Sequence, residues 1–233
     1  MRPYFFYSTP LSLCPYLSGK LERKVATELI GPNVEGLHDS LSRAGFRRSH
    51  AIAYVPACPE CEACIPTRIS VTHFKADRTM RRVIYRNADL VRTFVPPRAT
   101  DEHYSLFSNY QKNRHETGDM VQMSSEDFRS MVEDSPINTF LTEFRTCDGT
   151  LKAACLTDKM DDGLSAVYSY FSSEDPRRSL GIYIVLSLID YARTLALPYV
   201  YLGYWVAESR KMSYKTRFSA LEGYRSGQWL PIT

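Results

Sequence analysis

Cysteine is scarce in this chain, six residues in 233, which excludes a disulfide-stapled scaffold. Uninterrupted apolar sequence is scarce too. The longest such stretch, over 182–197, is broken by Ser187, Asp190 and Arg193, whereas a membrane-spanning helix needs about 20 apolar residues in a row. No charged-then-apolar leader with a small-residue cleavage site precedes Tyr4-Phe5-Phe6-Tyr7. The expectation is a cytoplasmic protein with reduced thiols and no membrane partner. Excess charge of one sign is small: 29 Lys and Arg against 26 Asp and Glu leave a formal +3, too little on its own to mark a nucleic-acid binder. The histidines, His38, His50, His73, His103 and His115, stand at no spacing from a nucleophile that suggests a Ser-His-Asp or Cys-His triad. Internal repeats and low-complexity tracts are missing as well. What remains, 44% hydrophobic and 24% charged, is ordinary globular composition with length for one large domain or two small ones.

The few cysteines are crowded together. Cys58, Cys61 and Cys64 form a C-x-x-C-x-x-C run, with Cys14 far upstream in Leu13-Cys14-Pro15-Tyr16. Thiolates at that spacing hold a tetrahedral zinc ion, anchor an iron–sulfur cluster or act as redox thiols; the alternative is plain packing as small hydrophobes. These four are the candidate metal ligands. Cys147 and Cys155 flank an Asp148-Gly149 turn and read as strand packing. The basic residues also cluster: Arg43, Arg47 and Arg48; Arg78, Arg81, Arg82 and Arg86; Arg210, Lys211, Lys215 and Arg217. Such groups, interleaved with aromatics, suit a phosphate-tracking surface.

Periodicity and punctuation set out the elements. A helix is expected over 34–44, stopped by Gly45, then β-rich runs over 52–55 and 65–71 on either side of the cysteines, so that the loop crosses between neighbouring strands. Asp77 is placed to cap a basic helix through Arg86. Pro96-Pro97 is the expected boundary, giving an N-terminal subdomain over 1–95 and a second domain over 96–233. Helices follow over 101–115 and 125–133, the latter opened by Ser124 with Asp127 three residues on. Three strands, 139–145, 151–156 and 164–171, are separated by turns at Asp148-Gly149 and Asp161-Asp162-Gly163 and read as an antiparallel meander. A helix with Ile182, Leu186, Ile189, Ala192 and Ala196 on one side ends at Pro198, followed by a strand over 199–204, a short helix over 208–215 and a strand over 218–221.

That order resembles the core of an N-acyltransferase of the GNAT type. The expected fold is therefore α+β, with a GNAT-like acyltransferase core in the C-terminal half and a cysteine-containing N-terminal α/β subdomain. At the start of the central helix, Arg178-Ser179-Leu180-Gly181-Ile182-Tyr183 sits where acyl-CoA users hold a pyrophosphate on main-chain N–H groups. The bulky Tyr183 crowds such a site, which counts against a CoA-dependent N-acetyltransferase.

Several segments together carry a more specific resemblance. Cys14-Pro15-Tyr16, Ser42-Arg43-Ala44-Gly45-Phe46-Arg47-Arg48-Ser49, Tyr54 with Pro56-Ala57-Cys58-Pro59, Ala63-Cys64-Ile65-Pro66-Thr67-Arg68-Ile69, Tyr201-Leu202-Gly203-Tyr204-Trp205-Val206 and Lys211-Met212-Ser213-Tyr214-Lys215 resemble the bacterial aspartate/glutamate leucyltransferases, relatives of the eukaryotic arginyl-tRNA protein transferases. The resemblance implies an enzyme of the N-degron system whose partners are leucyl-tRNA and proteins beginning with Asp or Glu. Transfer from arginyl-tRNA is the alternative, and a metal-knuckle nucleic-acid binder without catalysis is the reading from another class. An aminoacyl ester is already activated, so no cofactor is required for the chemistry, and zinc or an iron–sulfur cluster at the cysteines is an addition to it. Arginine suits the acceptor carboxylate through its planar fork, and Tyr54, Arg68, Arg78, Arg81 and Arg82 are the acceptor-binding candidates. Tyr201, Trp205, Lys211, Lys215 and Arg178 are the candidates for the tRNA end and its aminoacyl group, and Tyr204, Ser209 and Tyr214 for catalysis. Lys211 and Lys215, four apart on one helix, are expected to share an anion.

Overall fold

The structure, a computed structural model, describes residues 4–116 and 118–232. In chain order the elements are β1 (Tyr7–Ser8), β2 (Ser12–Leu13), β3 (Leu21–Glu22), β4 (Lys24–Glu28), α1 (Val34–Arg43), β5 (Arg47–Ser49), β6 (Ile52–Pro56), β7 (Ile65–Ser70), α2 (Arg78–Arg86), β8 (Val91–Val95), α3 (Asp101–Arg114), α4 (Ser125–Glu133), β9 (Thr139–Arg145), β10 (Leu151–Lys159), β11 (Gly163–Phe171), α5 (Leu180–Thr194), β12 (Tyr199–Trp205), β13 (Leu221–Arg225) and β14 (Gln228–Pro231). A 3-10 helix, Arg210–Arg217, links β12 to β13. The fold is α+β, as expected.

The local signals work as physical chemistry requires. Gly45 sits at φ +88, past the end of α1, where a side chain would be strained. Asp77 accepts the Met80 N–H at 2.7 Å to start α2, and Ser124 and Asp127 close the reciprocal cap of α4. Strands β9, β10 and β11 form the antiparallel meander. Central β10 is buried on both faces, so its residues alternate between two cores. Ala153 and Cys155 face Ile184, Leu188 and Ile189 of α5. Ala154 and Leu156 face Phe107 of α3 and Phe128 of α4, whose rings lie 4.8 Å apart. Each leucine, isoleucine or phenylalanine among them contributes about 1.5–3 kcal/mol on burial.

Two expectations need correction. The large sheet runs β14-β13-β7-β12-β11-β10-β9-β8, so β7 lies between β12 and β13, and β8 is an edge strand beside β9. The sheets divide between Pro56 and Ile65, within the cysteine segment. Thr67, Arg68, Ile69 and Ser70 are all buried, and a strand buried on both faces belongs inside a sheet. Consequently the cysteine segment connects two sheets instead of neighbouring strands: β6 belongs to a four-stranded sheet, β1-β4-β6-β5, over a small core of Leu29, Leu37, Leu41 and Ala53. The last expected strand begins at Leu221, because Phe218 is core and Ala220 turns the chain at φ +58.

The two sheets are joined by a buried polar knot. Asp158 on β10 has no exposed side-chain surface and accepts a fork from Arg48 on β5, with Nε and Nη2 each at 2.7 Å. Thr139 Oγ1 donates to the same carboxylate at 2.8 Å, and His38 Nε2 is 3.6 Å away.

Candidate active site

The sheet contains one parallel pair among its described strands, and that pair comes apart. Strands β11 and β12 are in register only for Gly163–Ser165 against Tyr199–Tyr201. Beyond that closed end, two cations occupy the space between the strands. Arg47, from β5, sends Nη2 to the carbonyls of Ala166 at 3.3 Å and Val167 at 2.8 Å on β11. Lys215 sends Nζ to the carbonyls of Leu202 at 2.7 Å and Tyr204 on β12. The Gly203 carbonyl, turned the other way, accepts from Thr67 on β7, so the Leu202 and Tyr204 carbonyls point toward the space β11 has left. Lys215 is buried, and that burial, reinforced by the Arg47 charge, holds its pKa well below the lysine range.

Gly203 makes this arrangement fit. It stands at φ +73, and a Cβ there would fall 2.6 Å from Arg47 Cζ, inside the guanidinium. Arg47 Nη1 is buried without a hydrogen-bond partner among the described residues. Arg47 and Gly203 were missing from the expected site. The available signal was a glycine inside a strand-like run, which marks close approach of another group.

The expected site residues scatter around this centre. The Tyr204 hydroxyl is buried between two acceptors, the Tyr54 carbonyl at 3.0 Å and the Gly45 carbonyl at 3.2 Å, and its pKa is raised by burial. Ser209 is buried at the start of the 3-10 helix. Tyr214 lies near Tyr110, Arg47 and Cys155, its pKa pushed up to about 12 chiefly by burial, so it keeps its proton at neutral pH. Lys211 is exposed while Lys215 is buried, so they do not share an anion. The reason is the 3-10 geometry, in which residues three apart line up and residues four apart do not. Trp205 is partly buried at the end of β12.

Tyr201 is buried within β12. Its hydroxyl is at the closed end, donating to Asp162 at 2.9 Å and accepting from Arg68 at 3.3 Å. Arg68 is engaged elsewhere, with Nε on Glu222 at 2.8 Å and its guanidinium 3.5 and 4.4 Å from the Tyr199 and Trp229 ring centres. Arg178 is held by an acid: both Nη atoms fork Asp89 at 3.0 and 2.8 Å, and this partner holds the Asp89 carboxyl below its ordinary range. Arg78, Arg81 and Arg82 are exposed on α2. That helix follows the far end of β7, about 20 Å along the strand from the cysteine segment, so the fold does not bring the three arginines together with Tyr54. Tyr54 itself is half-buried in the small sheet, its ring 6.3 Å from that of Tyr204.

The cysteines do converge. Cys14, Cys58, Cys61 and Cys64 line one cavity of about 640 Å³, with Tyr16, Lys20, Glu62 and Arg225 among the other walls. Burial and then the three neighbouring thiols push Cys64 up to about 12. As the side chains stand, no group of three or more His, Cys, Asp or Glu among the described residues is drawn together tightly enough to hold an ion. The donor set, four thiols around one space, is nevertheless of the kind that zinc and iron–sulfur clusters take. Cys155 is buried in strand packing, and Cys147 is exposed beside its turn.

Residues 12–82 match the family model described as arginine-tRNA-protein transferase, N terminus, and residues 102–225 match its C-terminus counterpart. An aspartate/glutamate leucyltransferase of Paramagnetospirillum magneticum is 57% identical over 228 residues, covering 98% of this chain and 93% of that one. Namesakes from Granulibacter bethesdensis and Rhodospirillum rubrum are 53% and 52% identical, over 100% and 98% of this chain and 87% and 94% of theirs. Among solved structures, FemX superposes with a TM-score of 0.48 over 89% of this chain and 81% of that one at 8% identity, too slight a likeness to bear on function. With both domain models matched in order and relatives this similar over nearly the whole length, the chain belongs to the aspartate/glutamate leucyltransferase family, within the arginine-tRNA-protein transferases.

Proposed function

We propose that this protein moves leucine from leucyl-tRNA to the N-terminal Asp or Glu of other proteins, marking them for degradation as N-degrons. The observation that carries the reading is the near-full-length match to relatives of that name. The fold suits it: a parallel strand pair that opens beyond its first residues is the acyl-binding feature of a GNAT-type core. The cysteine-containing N-terminal part presents the acceptor, and the opened pair receives the leucyl ester. Trp205 and Lys211 take the terminal adenosine and its phosphate, and Ser209 and Tyr214 supply hydroxyls beside the ester.

The step is an aminolysis. The acceptor's neutral amine attacks the ester carbonyl, a C–N bond forms, the C–O bond to the tRNA ribose breaks, and the amine's proton leaves as the ribose regains its hydroxyl. A free α-amine titrates near roughly 7.7–8.0, so desolvation and alignment suffice to present it unprotonated. Purified protein is expected to transfer leucine from leucyl-tRNA to peptides beginning with Asp or Glu and not to those beginning with Ala or Lys. Equal transfer to all four would remove carboxylate reading, and preference for arginyl-tRNA would replace the leucyl donor with the arginyl one.

The thiol cavity is proposed as a structural site for zinc or an iron–sulfur cluster, on the strength of four thiols lining one space. A bound ion there would add folding free energy without entering the transfer step. Protein purified without air or chelator is expected to carry near-stoichiometric zinc or iron, lost in Cys64→Ser together with thermal stability. Metal-free protein whose Cys64→Ser variant melts at the parental temperature would sink this assignment.

A further inference from the structure

The α2 arginines, apart from Tyr54 and the cysteine segment, form a surface of their own. Arg78, Arg81, Arg82, Tyr85 and Arg86 recur at i, i+3, i+4, i+7 and i+8, the spacing of one helical face, and all are exposed, Tyr85 at 84%. The opposite side holds Met80 and Val83, buried in the core that α5 shares. None of the four arginines meets a carboxylate among the described residues: Arg81 and Arg86 donate only to the carbonyls of Ala76 and Arg177, at 3.2 and 3.0 Å. Nearby acids are already engaged. Asp77 caps the helix, Asp89 holds Arg178, and Asp175 holds Arg177.

Placement gives the row a direction. Arg86 bonds the Arg177 carbonyl, and Asn87 Nδ2 bonds that of Arg178 at 2.8 Å, fastening the end of α2 to the segment that joins β11 to the start of α5. The C-terminal end of the row therefore lies beside the segment that leaves β11. Arg78, Arg82 and Arg86 stand four residues apart, about 6 Å along the helix each, and each fork can take one phosphate bidentately. A membrane-surface helix would turn its apolar side outward, whereas Met80 and Val83 face in and Ile84, 44% exposed, is the one aliphatic side chain left outside. An acidic peptide would want a pocket, and this face is a convex row.

We propose that this face of α2 carries the phosphate backbone of the donor tRNA, leading its 3′ end to the opened strand pair, with Tyr85 against a ribose or base. The proposal rests on the tRNA reading above. The test is titration of full-length protein with deacylated tRNA at several KCl concentrations, comparing wild type with the Arg78→Ala, Arg82→Ala, Arg86→Ala triple variant. Affinity is expected to fall roughly 10- to 100-fold near physiological salt, and the slope of log affinity against log salt by about 2 to 3. The melting temperature and the KM for an Asp-initiated peptide should hold, and the corresponding triple lysine variant should recover part of the affinity. Unchanged tRNA affinity and slope would overturn the proposal, as would a loss confined to acidic peptide or to anionic phosphatidylserine vesicles. A wild type that binds tRNA but transfers no leucine would fail the enzymatic reading alone, leaving the titration to decide the surface.

Discussion

Asp158→Ala is expected to destabilise the protein by about 3–5 kcal/mol, the usual consequence of leaving one partner of a buried ion pair alone. The carboxylate is fully buried and holds Arg48 by two bonds, so its removal strands a guanidinium whose residue is only 5% exposed. For a chain of this size that corresponds to a fall in melting temperature of about 6–20 °C. The effect should be non-additive, because an Arg48→Met, Asp158→Leu double variant removes both charges and should regain most of the loss. Thermal or urea unfolding of the two variants and the parent checks this. A single variant within 1 kcal/mol of wild type, roughly the spread of surface substitutions, would mean that the knot does not join the sheets. The consequence extends to function, since the same knot anchors β5, the strand that carries Arg47 into the opened pair.

Gly203→Ala is expected to lower turnover on the order of 100-fold, the scale of an ångström-level displacement at a reacting centre, while costing about 1–3 kcal/mol of stability. The backbone argument is φ +73, where an L side chain is strained. The packing argument is stronger: the new methyl would lie 2.6 Å from Arg47 Cζ, so the guanidinium must leave the Ala166 and Val167 carbonyls. Strand β11 then loses the donor that replaces its missing neighbour, and the opening changes shape. Steady-state kinetics with leucyl-tRNA and an Asp peptide, read beside the melting temperature, test both parts. Wild-type turnover in this variant would show that Arg47 and the opening it fills have no part in transfer. Adding Arg47→Ala should relieve the clash and return some stability without returning turnover.

Much of the fold was legible in the residues alone because its signals are short-range. A cap at Asp77, the Ser124 and Asp127 pair, the turn at Gly149 and the apolar run of α5 each depend on neighbours within a few positions, and each lies where periodicity places it. The order of elements from β9 to β13 follows from the same signals, and the set of motifs from Cys14 to Lys215 is specific enough to identify the family. Charge and thiol partners are another matter, since they are chosen across the fold. Arg48 meets Asp158 over 110 positions, Arg68 meets Glu222 over 154, and Arg178 meets Asp89 over 89. No spacing rule reaches that far, so arginines that look equivalent in sequence become a structural tie, a stacked plug and a free surface row. Lys215 differs from Lys211 for the same reason: only the packed 3-10 turn decides which of them enters the space between β11 and β12. The sequence by itself determined the elements, their caps and the family, because those rest on local backbone preference and a long ordered set of motifs. The tertiary structure alone decided that β7 enters the transfer sheet, that Arg47 and Gly203 shape its opening, and that the α2 arginines remain free, because each is a competition among distant groups for one buried partner.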